Sequence, residues 1–120
     1  MRTVEIPTPE WRPALDALSR TYDGAFVSVD VVGEAVGAQK EVQNEPLHGI
    51  TADASGITLF TGRPALPHVD HRIAHPRRVW IEEADDGAVV ALQVEDTDDV
   101  RTIVRFRSPM RRDLLDPAVE

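Results

Sequence analysis

The 120-residue sequence contains no cysteine. Disulfide bonds, thiolate zinc sites and cysteine nucleophiles are therefore excluded, and a cysteine-free chain suits the reducing cytoplasm, which we predict as its compartment. No run of residues approaches the roughly 18 apolar residues of a membrane-spanning helix. The N-terminal end also lacks the basic and then apolar layout of a secretory signal. We therefore expect no membrane partner.

Positive charge is scarce, because 13 lysine and arginine residues face 21 aspartate and glutamate residues and give a formal net charge of -8. A chain this acidic repels nucleic acid and anionic lipid, so neither is an expected partner. Aromatic residues make up only 5% of the sequence, which leaves few side chains for base stacking. Gly-x-Ser-x-Gly, phosphate-loop and His-Glu-x-x-His motifs are absent as well, so no linear motif indicates an enzyme.

The N-terminal segment predicts one helix, over residues 8–23. Residues 1–6 alternate like a short strand and end at Pro7. Thr8 is the predicted N-cap, with Pro9 at the first helical position, and Gly24 provides the stop. Large apolar residues recur on one face of this helix, namely Trp11, Leu15, Leu18 and Tyr22.

The rest of the chain alternates with a period of two and predicts strands. We expect them at Val27–Val31, Val36–Val42, Leu47–Ala52, Ile57–Thr61, Val69–Ala74, Arg78–Glu83, Ala88–Glu95 and Val100–Arg107. Asn44-Glu45-Pro46 reads as a turn between two of these strands. Asp85-Asp86-Gly87 is the clearest hairpin signal, since Asp-Gly supplies the positive φ that a tight turn needs.

These elements predict a mainly β (α+β) fold with one N-terminal helix. The expected architecture is a small antiparallel barrel or a strongly curled sheet of about eight strands. We expect a single domain over residues 1–120, with the helix at 8–23, a β meander at about 25–107 and a tail at 108–120.

Strand alternation also predicts where the helix packs. If Val79 and Ile81 face inward, Trp80 faces outward, and Ile103 likewise faces outward between two arginines. Such an apolar patch is normally covered in a monomer. The lone helix would either plug one mouth of the barrel or lie across an outer face. Because of this patch we expect its apolar stripe to cross the outer face, with a dimer interface there as the alternative.

Arginines form the best candidate for a recognition surface. Arg105 and Arg107 lie on the same face of the last strand as Arg101, and Arg77 and Arg78 lie close by in the predicted sheet. Guanidinium groups bind carboxylates and phosphates with two parallel hydrogen bonds, so these are candidate binding residues. The alternative is pairing within the chain, for which Glu82, Glu95 and Asp96 are available.

Histidines cluster at 68, 71 and 75, with Asp70 among them. Imidazole and carboxylate groups suit zinc or another transition metal. On a strand, however, His71 and His75 lie about 13 Å apart and His68 points to the other face. We therefore expect no metal and no cofactor, and keep as the alternative a loop that gathers His68, His71 and His75, or His71 alone as a binding residue or general base.

Several segments occur in the order of a known family. They are Ile6-Pro7, Glu10-Trp11, Ser19-Arg20, Val32-Gly33, Gly37-Ala38-Gln39, Leu47 to Asp53, His68 to Arg78 and Val104 to Pro109. Through them the sequence resembles an uncharacterised bacterial and archaeal family, domain of unknown function family 5335. The resemblance covers almost the whole chain, but implies no activity, cofactor, partner or functional residue.

The functional expectation is a small non-enzymatic binding or assembly module, for which a homodimer is one possible form of assembly. An arginine face or an uncovered sheet edge would meet the partner. The alternative is a small β-barrel enzyme or ligand carrier with a histidine-containing loop at its mouth, acting with or without a metal.

Overall fold

The computed structural model describes residues 1–63 and 68–107. Strand β1 (Arg2–Ile6) leads through a 3-10 turn (Thr8–Glu10) into helix α1 (Trp11–Thr21). The remaining strands are β2 (Phe26–Gly33), β3 (Gly37–Asp53), β4 (Gly56–Thr61), β5 (Val69–Ala74), β6 (Pro76–Glu83), β7 (Val89–Asp96) and β8 (Arg101–Phe106). The mainly β fold with one N-terminal helix is confirmed, and the predicted tail at 108–120 lies outside the described residues.

The eight strands form one antiparallel sheet in the order β1-β6-β7-β8-β2-β3-β4-β5. The sheet is not closed, because β1 and β5 are edges. Strand β5 nevertheless passes into β6 through His75 alone, although the two strands lie near opposite ends of the order. The sheet must therefore curl strongly, and the Thr97 amide closes this corner by donating to the His75 carbonyl at 3.1 Å.

The predicted turn at Asn44-Glu45-Pro46 is wrong, because β3 runs from Gly37 to Asp53 without a break. Its first part pairs with β2 and its second part with β4. Asn44 adopts a positive φ of 52°, and the register between β2 and β3 shifts near Val29. Asparagine tolerates this conformation better than most residues, so the turn-forming signal serves to bend a strand rather than to end it.

The helix begins differently from the prediction at its first turn. Thr8 is the first residue of the 3-10 turn rather than an N-cap, and none of the described side chains caps either helical segment. Pro13 lies in the first turn of α1, where backbone amides have no helical acceptor, so it forfeits no hydrogen bond. Gly24, with a φ of 85°, ends the segment as expected.

The helix packs inside the curl, so its predicted position on the outer face is wrong. Leu15, Leu18 and Tyr22 belong to the same buried cluster as the inward-facing residues of the central strands, including Val79, Leu92 and Val104. The hydroxyl of Ser19 fixes the helix against β3 by accepting the Ile50 amide at 2.8 Å. An open curled sheet leaves its apolar inner face accessible, and the helix covers it.

The alternation on which that prediction depended is itself confirmed. Val79 is fully buried, whereas Trp80 and Ile103 lie on the opposite side of the sheet and are half-buried. Within the described ranges, no helix is long and apolar enough to cross a membrane.

Candidate functional site

The outer face is the side of the sheet that points away from the helix. Cross-strand partners share a face, and the register places these side chains on it: Arg78, Trp80, Gln93, Glu95, Arg101, Ile103, Arg105, Asp30, Val32, Ala38 and Lys40. The face therefore carries Arg78 and Arg105, which are predicted binding residues, together with Arg101.

Both arginines of β6, Arg77 and Arg78, form ion pairs. Arg78 donates to the carboxylate of Glu5 on β1 at 3.0 Å. Arg77 donates to Glu95 and, at 2.5 Å, to Asp99. Hydrogen bonds from Arg78 hold the pKa of Glu5 below its usual value and raise the pKa of Arg78 itself. These arginines are thus bound to carboxylates of the same chain.

The same holds for the arginines on β8. Arg101 donates to Glu95 at 2.9 Å, and Arg105 pairs with Asp30, which also accepts from Lys40 at 2.9 Å. Hydrogen bonding from Lys40, supported by Arg105, lowers the pKa of Asp30. Hydrogen bonds from Arg77 and Arg101 likewise lower the pKa of Glu95. Pairing within the chain, the alternative to a free arginine surface, is what the structure shows for these residues.

Arg107 differs from the other predicted binding residues. It is exposed, and within the described residues its side chain forms no ion pair. Its amide donates to the Phe26 carbonyl at 3.0 Å and extends the contact between β8 and β2. The backbone of Arg107 therefore contributes to the sheet while its guanidinium faces solvent.

Trp80 is covered by arginines rather than by the helix. The guanidinium carbons of Arg78 and Arg101 each lie 4.9 Å from the centre of its ring. Because both arginines are held by carboxylates, they stay over the indole, where cation–π attraction adds to the ion pairs. The alternation of the sequence predicts that Trp80 points outward, but it does not predict that Arg78 and Arg101 cover its ring.

A groove runs along the outer face beside this cluster; we call it the outer groove. Its floor is apolar and includes Val32 and Ile103, which line both of its contiguous parts, of about 670 and 310 Å³. Val32 is 41% exposed although it lies on a central strand. The rim consists of paired charges, chiefly Asp30, Lys40, Glu95, Arg101 and Arg105.

The three clustered histidines are not brought together. His68 stacks on His48 with ring centres 4.3 Å apart, and His48 Nε2 lies 2.6 Å from the Gly62 carbonyl. His71 lies opposite Leu59 on the inner side of β5, and His75 forms the exposed corner before β6. No group of three or more potential metal ligands occurs among residues 1–63 and 68–107.

A second concave region, the mouth pocket, lies at one end of the curled sheet and has a volume of about 620 Å³. Four separate segments line it: the start of the helix, the β3–β4 turn, the β5–β6 corner and the β7–β8 turn. Among its residues are Trp11, Arg12, His75, Arg77 and Thr97. The sequence singled out His75 and Arg77, but no linear signal links them to Arg12.

Comparison with known proteins agrees with the resemblance found in the sequence. Residues 2–115 match the model of a family described as "Family of unknown function (DUF5335)". An uncharacterized protein from Aquifex aeolicus (strain VF5) is 33% identical over 107 residues, which cover 89% of this chain and 94% of that protein. No solved structure gives a significant match. The chain therefore belongs to the DUF5335 family of unknown function.

Proposed function

We propose that this protein is a non-enzymatic assembly module that pairs with a second copy of itself through its outer face. The observation that carries the proposal is the outer groove, where Val32 and Ile103 form an apolar floor inside a rim of paired charges. Both residues belong to the adjacent central strands β8 and β2, so the surface is held rigidly by the sheet.

The apolar floor supplies the favourable free energy. Burying apolar surface contributes about 25 cal/mol per Å², and Val32 and Ile103 are only partly covered in the single chain. Trp80 and its two arginines lie beside the groove. Tryptophan and arginine are the residue types that most often dominate binding energy at interfaces.

The charge distribution favours a second copy as the occupant. Two chains that each carry a net charge of -8 repel each other over most of their surfaces. On the outer face, by contrast, Arg101 and Arg105 neutralise Glu95 and Asp30. An association between identical chains costs least where the charge is balanced, and a two-fold dimer uses the same patch on both chains.

Replacing Ile103 with glutamate should dissociate the dimer without unfolding the chain. The new carboxylate would lie on the floor of the outer groove and would lose its hydration when a second chain covers it, which opposes association. Val69→Glu is the matched control, because Val69 is 54% exposed on the edge strand β5, away from the groove. Sedimentation equilibrium should show a dimer for the wild type and for Val69→Glu, and a monomer for Ile103→Glu.

Circular dichroism establishes whether each variant is folded. If Ile103→Glu does not fold, Val32→Glu replaces it, since Val32 is more exposed. A wild type that stays monomeric over the whole dilution series contradicts the proposal. A folded groove variant that dimerises as well as the wild type contradicts it equally.

The cytoplasm remains the predicted compartment for this assembly. Its support is the cysteine-free composition, which needs no oxidising environment.

A further inference from the structure

We infer that the mouth pocket binds a small organic molecule through an oxyanion, a carboxylate or a phosphate group. Among the described residues, the pocket and the outer groove have different lining residues. Arg77 in the pocket wall nevertheless pairs with Glu95 and Asp99 beside the groove, so binding in the pocket is tested separately from the proposed assembly.

Hydrogen bonds between its walls preform the pocket. Arg12 Nε donates to the Ala52 carbonyl at 3.3 Å and ties the helix to the end of β3. The His75 amide donates to the Ser55 carbonyl at 3.5 Å, and the His75 carbonyl accepts from Thr97. His75 itself has a φ of 54°, a left-handed conformation at the corner that lines the pocket. A site held in this way loses little conformational entropy when a ligand binds.

Among the charged side chains that line the pocket, Arg12 differs from Asp53 and Arg77 because it has no ion-pair partner in the described residues. Asp53 is compensated by Arg72 and by amide and hydroxyl donors of the β3–β4 turn, and its pKa is strongly lowered by them. Arg77 is paired with Glu95 and Asp99. Arg12 forms no ion pair with any part of the chain that the structure describes. A guanidinium in a concave site is suited to bind an oxyanion through two parallel hydrogen bonds.

The remaining walls suit an organic body attached to that anion. Trp11, Pro9 and Pro76 provide apolar surface, and Thr8 and Thr97 add hydroxyl groups. The volume of about 620 Å³ lies within the usual range of ligand pockets.

Two probes distinguish the two anion types on the full-length chain: inorganic phosphate and benzoate, each added at constant ionic strength. In ¹⁵N–¹H spectra we expect saturable shifts at amides of the four pocket segments with at least one probe. Arg12→Gln should weaken that binding about tenfold, because a charge-assisted bond is lost. Arg20→Gln, an exposed position on the same helix and outside the pocket, removes the same charge and should bind as the wild type does.

His75→Asn serves as the second variant, because asparagine accepts the left-handed backbone while the imidazole is removed. It should weaken binding with the spectrum otherwise preserved. The inference is overturned if neither probe gives saturable shifts, if the shifts spread over the whole surface, or if Arg12→Gln and Arg20→Gln bind equally. Repeating the titration on Ile103→Glu separates this result from the oligomeric state.

Discussion

Replacing Leu18 with aspartate is expected to unfold the protein. Leu18 is only 5% exposed and lies in the core between helix and sheet. The change removes about 1.5–3 kcal/mol of apolar burial and places an unpaired carboxylate in the core, at a cost of several kcal/mol. Together these losses approach the total stability of a small domain, about 5–15 kcal/mol.

Ala17→Asp is the matched control for this prediction, because Ala17 is exposed on the same helix. Far-ultraviolet circular dichroism and sedimentation velocity should show an unfolded Leu18→Asp chain and a folded Ala17→Asp chain. If Leu18→Asp stayed folded and changed only its oligomeric state, the helix stripe would belong to an interface between chains. The assignment of the inner face would then be wrong.

Gly56→Ala should produce the second large loss of stability. A Cβ atom at Gly56 would lie 2.6 Å from the Ile73 carbonyl oxygen and 3.1 Å from Arg72 Nη2. The first contact is to backbone, so β5 would have to move away from β4 and disturb the ladder between them. Overpacking of this kind typically destabilises by about 1–3 kcal/mol.

Gly49→Ala tests whether the effect is steric rather than a general consequence of adding a methyl group. A Cβ atom at Gly49 would meet only a Phe60 ring carbon at 4.0 Å. Urea unfolding should show a clearly lower midpoint for Gly56→Ala, and a midpoint for Gly49→Ala that is unchanged or higher. Equal midpoints for the two variants would show that β4 and β5 are not packed as closely as described.

Much of the fold could be predicted from local pattern. Period-two alternation correctly separated Val79 from Trp80, and Asp85-Asp86-Gly87 does connect β6 to β7, with Gly87 at a φ of 87°. These signals succeed because side-chain direction and turn geometry depend on residues close in sequence.

Local pattern does not predict which surfaces pack together when several apolar surfaces could pack against the same partner. The helix stripe could cover either face of the sheet, and the sequence does not reveal that the inner face stays open to receive it. Nor does it reveal that Arg78 and Arg101 cover Trp80, because they reach the indole from its own strand and from β8. Both outcomes depend on the curl and register of the sheet.

Among the site residues, too, local pattern predicts the face on which a side chain lies but not its distant partners. Alternation places Arg101 and Arg105 on one face, and the prediction of Glu95 as a partner within the chain is confirmed. The prediction is wrong for Glu82, which accepts from Gln93, and for Asp96, which accepts from the amides of its own turn. Asp30 was missed as a partner because it lies 75 residues away from Arg105. The mouth pocket joins four distant segments, so only the folded chain brings Arg12 near His75.

The most direct test of self-assembly through the outer face is the reactivity of single thiols, which the cysteine-free sequence makes possible. Val32→Cys places one thiol on the groove floor, and Val69→Cys places one on the exposed edge strand β5. Maleimide labelling rates are measured for both over a protein dilution series. Labelling at position 32 should slow as protein concentration rises, while the rate at position 69 stays constant. A rate at position 32 that does not depend on protein concentration would contradict it.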